Sequence, residues 1–176
     1  MKNIRHYFIL TFAVAMTVMM YGQSSVDTMV AEWERAKAYT MEYLEAMPAD
    51  KYNLKPTPEI RSFAEQMLHI ADANYGLMAS ATGVESPIAL GTSEKSEDKS
   101  KESTIKQVTA SYDFVIENLK SMTPDDMAET ITLFGKIETT KGVAIQKTFE
   151  HQTHHRGQTT VYLRLAGVTP PAEKLF

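Results

Sequence analysis

The stretch GVAIQKTFEHQTHHRGQTTVYLRL, residues 142–165, has the composition of one long helix that ends before Gly167. Within it, His151 and His155 are four residues apart. A helix turns by about 100° per residue, so the two imidazoles lie roughly one turn apart on one face and can reach the same metal ion. The spacing by itself also fits two ordinary helical histidines.

A helical wheel divides this segment into two faces. One face carries Ala144, Thr148, His151, His155, Gln158, Thr159, Tyr162 and Ala166, and another carries Ile145, Phe149, Gln152, Arg156 and Leu163. The histidines therefore share a face with small and aromatic packing residues. Because a fully solvated face would carry more charge, this pattern favours a position inside a bundle or along a cleft.

His69 is the candidate for a third ligand among the five histidines of the chain. His6 lies in an N-terminal segment with the pattern of a signal peptide, and the helix turns His154 about 100° away from His155. His69 lies about 120° from the centre of the apolar stripe of its own helix, which fits a solvent-exposed histidine equally well. A bundle helix contacts two neighbours, however, so a residue at its flank can still face a site between helices.

Three converging imidazoles would leave a coordination position for water or substrate, as in catalytic zinc sites. A metal held in this way lowers the pKa of a bound water towards ~7 or holds a thiolate substrate. Imidazole also suits nickel, copper and iron, and we expect a divalent ion, with zinc or nickel as the first choices. Glu65, Asp72 and Glu150 are nearby carboxylates that could orient ligands or move protons, although each is also explained as a solvated helix charge.

Three further segments have apolar residues at helical spacing, and no segment shows the sustained alternation that marks strands. We expect these helices over residues 25–47, 57–82 and 103–122. In the second, Thr57 is the expected N-cap and Gly83 the expected exit. Four helices of about 20 residues with long connections predict an all-α fold, a four-helix bundle with at least one crossover connection.

The segments between the helices are polar or mixed. The stretch GTSEKSEDKSKES, within residues 85–103, contains no large apolar residue and predicts a solvated loop. The stretch ITLFGKIET, centred on Gly135, predicts a short extended crossover. Trp33, in the first helix, is expected to anchor the core.

The N-terminus has the pattern of a secretory signal peptide. Lys2 and Arg5 precede an apolar run over residues 7–20, and small and polar residues follow. The run is about 14 residues long, shorter than the ~20 that a membrane span needs. We therefore expect residues 1–22 to be removed, residues 23–176 to form one domain, and the protein to be exported to the periplasm or the medium without a stable membrane span.

Composition excludes several classes of protein. The chain has no cysteine, which excludes a cysteine-linked lipid anchor, a disulfide and a thiolate metal ligand. Loss of Lys2 and Arg5 would change the net charge from −4 to −6, and no basic cluster offsets it, so we expect no nucleic-acid partner. No nucleophilic serine elbow, phosphate-binding glycine loop or cysteine nucleophile is present.

The stretch HQTHHRGQTTVYLRLAGVTPP, residues 151–171, closely resembles the C-terminal motif of the DinB family of YfiT-like helical proteins. Residues 41–77 resemble the first loop and second helix of that family, including a histidine at the position of the first metal ligand. The resemblance implies an up-down-down-up four-helix bundle and a divalent metal site formed by His69, His151 and His155. It also implies a possible homodimer.

Three neighbouring residues also match the motif. The resemblance and the chemistry of the side chains suggest structural roles: Gly157 would permit close helix approach, and Arg156 and Gln158 would tie the helix end to its neighbours. His154 is expected to be a surface residue or to support the ligands from behind.

Members of this family include S-transferases and isomerases that use low-molecular-weight thiols such as bacillithiol or mycothiol, and many members have no assigned activity. Two hypotheses follow for this chain. In the first it is a metal-dependent S-transferase or hydrolase with an unknown small-molecule substrate, which predicts an open pocket at the histidines with carboxylate or arginine groups pointing into it. In the second it is a non-catalytic metal-binding or envelope-stress module, which predicts a blocked fourth coordination position. A bundle that has lost its metal is the third interpretation.

Overall fold

Four long helices form a bundle in the computed structural model, which describes residues 26–176. The elements are α1 (26–46), a 3-10 turn (Ala49–Lys51), α2 (Phe63–Thr82), α3 (Lys101–Lys120), α4 (Pro124–Ala128), β1 (Thr130–Leu133), β2 (Ile137–Thr140) and α5 (Lys141–Leu165). The expected helical fold is confirmed. The signal-peptide prediction for residues 1–22 lies outside the described residues.

The core lies where α1, α2, α3 and α5 meet. Trp33 of α1 is completely buried, and its ring packs edge-on against Tyr112 of α3 and Phe149 of α5, with centroid distances of 5.7 and 5.4 Å. This confirms its expected role as a core anchor. Helix α2 packs against both α3 and α5, which places its flank beside the histidine face of α5. Within residues 26–176, no helix combines the length and the apolar character needed to cross a membrane.

Helix α2 begins at Phe63, so the prediction that it starts at Thr57 is wrong. Ser62 is the N-cap: its hydroxyl accepts from the backbone N–H of Glu65, and the Glu65 carboxylate accepts from the backbone N–H of Ser62 at 2.8 Å. This reciprocal capping box satisfies two amides of the first turn and fixes the start of the helix. The C-terminal end is as predicted, because Gly83 takes the left-handed conformation with φ of +80°.

The other long helices lie close to their predicted ranges. Ser100 caps α3 by accepting from the backbone N–H of Ser103, which starts the helix at Lys101. Thr140 caps α5 in the same way through the N–H of Val143.

The segment around Gly135 forms an antiparallel hairpin, which corrects the predicted extended crossover. Strands β1 and β2 pair with Leu133 opposite Ile137, and the chain turns through Phe134 and Gly135, which have φ of +54° and +67°. The two strands are four residues each, too short for a clear alternating pattern in the sequence. The hairpin places Phe134 beside the histidines.

Candidate metal centre

The three predicted histidines come together between α2 and α5. His69 extends from α2, and His151 and His155 lie one turn apart on α5. One nitrogen from each ring lies within 4.8 Å of the others, and the ring centroids are 4.3 to 5.1 Å apart. A bundle flank therefore supplies the third imidazole, as the position of His69 on its helix allowed.

Two of these imidazoles are held in the neutral form. Burial, with added repulsion from His69, lowers the pKa of His151 to about 4. Burial and the neighbouring His151 lower the pKa of His155 to about 4 as well. Because both rings are neutral at pH 7, each offers a nitrogen lone pair.

Glu94 orients His69 from behind. Its Oε2 lies 3.1 Å from Nδ1 of His69, and its Oε1 accepts from Nε of Arg61 at 2.7 Å. Burial opposes ionisation of Glu94, but the Arg61 hydrogen bond and charge hold its pKa below the ordinary value. A carboxylate on Nδ1 places the imidazole proton there and leaves Nε2 as the ligand atom, the arrangement common behind metal-bound histidines.

Asp72 holds the loop that carries Glu94. Its carboxylate is buried and accepts from the backbone N–H groups of Ser93 and Glu94, both at 2.9 Å. The predicted solvated loop is found over residues 83–100, but it is not solvated throughout, since Ser93 is buried and this part of the loop docks onto α2. Sequence reasoning missed Glu94 because nothing distinguishes it from the other acidic residues of this polar stretch.

His155 lies in a network of amides. Its Nδ1 is 2.8 Å from Nε2 of Gln66 and 3.2 Å from Oε1 of Gln158, and Gln158 also contacts Nε2 of the exposed His154. A side-chain amide offers either an oxygen or an NH2 group when it turns over, so this network can accept a hydrogen bond from Nδ1–H of His155. Gln158 therefore supports the site as well as the helix.

His151 contributes an orphan nitrogen. Its Nδ1 is buried and has no hydrogen-bond partner among residues 26–176. Buried polar atoms are nearly always paired in native proteins, so a lone imidazole nitrogen here fits a site that binds a cation. His151 and His155 are thus neutral, hydrogen-bonding neighbours orient His69 and His155, and Nδ1 of His151 is unpaired. Such a set of donors suits a divalent ion that prefers nitrogen ligands.

The three predicted carboxylates have other partners. Glu65 forms the capping box of α2 and also contacts Lys99, Asp72 binds the loop backbone, and the exposed Glu150 pairs with Lys147 at 2.6 Å. Of the two alternatives for these carboxylates, a direct role at the histidines therefore finds no support in their contacts. Asp72 acts on the site through Glu94.

Two open clefts meet at the histidines. The first has a volume of about 690 Å³ and a mixed lining, whose polar and charged members include Glu59, Arg61, Gln66, Glu94, His155 and Gln158. The second has a volume of about 370 Å³ and is mainly apolar, and its walls include His69, His151, Leu77, Leu90 and Phe134. Glu94 lines both clefts, so the two meet at the residue that orients His69.

Of the structural roles expected for Arg156 and Gly157, the structure supports only the first. Arg156 does tie α5 to α1, because its Nη1 lies 3.4 Å from the carbonyl oxygen of Ala36. Gly157 does not mark a close helix approach: a Cβ atom added there would have no neighbour within 4 Å. That prediction is corrected.

Comparison with known proteins agrees with the fold. The model of the DinB family matches residues 19–175. A DinB-like protein from Bacillus cereus is 20% identical, with a TM-score of 0.74 over 84% of this chain and 97% of that chain. A DinB-like protein from Bacillus subtilis is 23% identical, with a TM-score of 0.64 over 85% of this chain and 96% of that chain. A conserved protein from Enterococcus faecalis is 17% identical, with a TM-score of 0.64 over 80% of this chain and 95% of that chain. No curated protein gives a significant match.

Proposed function

The chain belongs to the DinB family, and on that premise we propose that it binds one divalent ion, zinc or nickel, and acts as a metal-dependent transferase or hydrolase. The ligands are His69, His151 and His155. The observation that carries the proposal is the convergence of three imidazoles, one with an orphan buried nitrogen, where two open clefts meet.

The donor set supports the metal. Low pKa values keep His151 and His155 unprotonated at pH 7, so a cation does not have to displace protons from them. An ion held by these three nitrogen ligands would keep a fourth coordination position open, where it would activate a bound water or thiolate for attack. Glu94 keeps the proton of His69 on Nδ1 and so keeps Nε2 available.

The clefts support an enzyme over a purely structural metal site. The apolar cleft lies beside His69 and His151 and suits an apolar part of a small substrate. The first, larger cleft brings the Arg61 guanidinium and the amides of Gln66 and Gln158 beside His155, where they suit a polar or negatively charged part of the substrate. A non-catalytic module would need no such access to its metal.

Turnover by the metal-loaded chain tests this function. We expect hydrolysis or thiol transfer with a panel of small esters and electrophiles, loss of activity after chelation, and loss in His69→Ala. His154→Ala is the matched control, because His154 is an exposed histidine on the same helix turn as His155, and it should keep its activity. Tight metal binding without turnover of any substrate would favour the non-catalytic module.

Export belongs to the same proposal. Its support is the sequence pattern of residues 1–22, most of which precede the family match that begins at residue 19. Mass spectrometry of the protein recovered outside the cytoplasm should show a chain that starts near residue 23. A chain that retains residues 1–22 and stays in the cytoplasm would contradict export without affecting the metal site.

A further inference from the structure

A third cavity, of about 680 Å³, lies between α5, α1 and the C-terminal tail. Its α5 wall is formed by residues at three- and four-residue spacing: Thr153, Gly157, Thr160 and Arg164. At 100° per residue this face points roughly opposite to the face of His151 and His155. The cavity is therefore separate from the candidate metal centre.

A buried guanidinium faces this cavity without a carboxylate partner. Arg156 lines it and is only 6% exposed. Its Nη1 contacts uncharged groups, including Oε1 of Gln152 at 3.0 Å and Oγ1 of Thr40 at 3.4 Å, and its Cζ lies 4.6 Å from the ring centroid of Tyr39. Among residues 26–176, no carboxylate forms an ion pair with Arg156. A buried cation without a counter-ion is costly, so this site favours an anion.

The other charges around the cavity leave it positive. Arg35 pairs with Glu32, and Lys174 pairs with Glu42. Arg164 is exposed and has no side-chain partner in the described part of the chain. Against Arg156 and Arg164, the lining residues include one carboxylate, Glu173.

Hydroxyl groups and free space complete the site. The hydroxyls of Tyr43 and Thr160 both line the cavity and lie 3.0 Å apart. Gly157 adds room, since no atom lies within 4 Å of the position of its missing Cβ. The volume exceeds what an inorganic ion needs and suits a small organic molecule.

We propose that this cavity binds a small organic anion, a carboxylate or a phosphate ester, whose oxygens face Arg156 and Arg164. A guanidinium presents parallel N–H donors that match the paired oxygens of both groups. Tyr39 and the prolines of the tail form an apolar wall for the rest of the molecule. This proposal does not depend on metal binding or on turnover.

Calorimetric titration of the full, chelator-treated chain tests the proposal, because chelation removes anion binding at a metal. Inorganic phosphate and benzoate are the probes, and saturable binding of either one is expected; the one that binds identifies the class of anion. Gly157→Leu fills the cavity without deleting a charge, and Gly157→Ala is its small matched control. We expect Gly157→Leu and Arg164→Gln each to weaken binding by about tenfold or more and Gly157→Ala to change it by less than about twofold.

Glu173→Gln should change the affinity for the anion in the opposite direction. It removes the one carboxylate of the lining, so binding of the same probe should become tighter. Circular dichroism checks that each variant keeps its helix content, which Leu or Ala at position 157 should favour over Gly. No saturable binding of either probe, or equal binding by Gly157→Leu and the unaltered chain, would overturn the proposal.

Discussion

Two sides of α5 carry basic side chains that differ in charge. On one face, burial keeps His151 and His155 neutral, so they present lone pairs towards His69. On the other side, Arg156 keeps a permanent positive charge and has only uncharged contacts. The difference teaches that one short motif, HHRGQ, contributes residues to two separate proposed sites, of which the first suits a cation and the second an anion.

Removal of one histidine ligand should have the largest effect, and it should change metal binding at the histidine face without changing the arginine side of α5. We expect His155→Ala to abolish metal binding while leaving helix content intact, because the ring is half-buried and helical alanine is favourable. Elemental analysis and circular dichroism measure the two quantities. His154→Ala is the control, and equal metal loss in both variants would undo the ligand assignment.

A smaller loss should follow from the residue that orients a ligand. Glu94→Gln keeps the size of the side chain but removes the carboxylate beside Nδ1 of His69. Changes of this kind behind a metal ligand weaken metal binding by about 10–100-fold. Competition with a chelator of known affinity measures the change. Glu97→Gln, an exposed substitution in the same loop, should leave affinity unchanged, and equal affinity in the Glu94 variant would show that Glu94 does not support the site.

Asp72 links stability to the histidine face. Asp72→Asn keeps one acceptor oxygen, so one of the two backbone N–H groups of Ser93 and Glu94 loses its partner. An unpaired buried donor costs about 1–3 kcal/mol, and we expect the free energy of unfolding to fall by this amount. Urea denaturation measures it, with the exposed Asp98→Asn as control. No loss of stability would mean that this loop is not held by Asp72.

The smallest effect should appear as a pH dependence at the start of α2, one turn before His69. The backbone hydrogen bond from Ser62 lowers the pKa of Glu65 to about 2. Stability from this carboxylate is present above about pH 4.5, the ordinary value, and is lost as the pH falls through about 2. Glu65→Gln should remove that part of the pH dependence in urea denaturation between pH 5 and 2, whereas the exposed Glu117→Gln should not. If the free energy of unfolding of Glu65→Gln varied with pH as it does in the unaltered chain, Glu65 would not be the source of this pH dependence.

The predictable part of the molecule is the part encoded in local spacing. The long helices and the convergence of His151 with His155 follow from periodicity alone. His69 needed the resemblance, because its flank position is ambiguous until the packing of α2 on α5 is known. The start of α2 was missed because Thr57 followed by Pro58 resembles a helix start, while the Ser62 to Glu65 capping box satisfies more backbone groups.

The position of Glu94 beside His69 and the burial of Arg156 without a carboxylate partner both depend on contacts between residues that are distant in the sequence. Glu94 reaches His69 because Asp72, 22 residues earlier, binds the loop backbone. Arg156 lies in the interior because Tyr39 and Thr40 of α1 accommodate it. No local pattern in the sequence records either arrangement, and so both emerged from the structure.

Metal stoichiometry of the purified chain tests the central claim most directly. Elemental analysis after reconstitution with zinc or nickel should find one ion per chain in the unaltered protein and none in His151→Ala. Background metal in both proteins, or one ion retained in His151→Ala, would contradict a three-histidine metal centre.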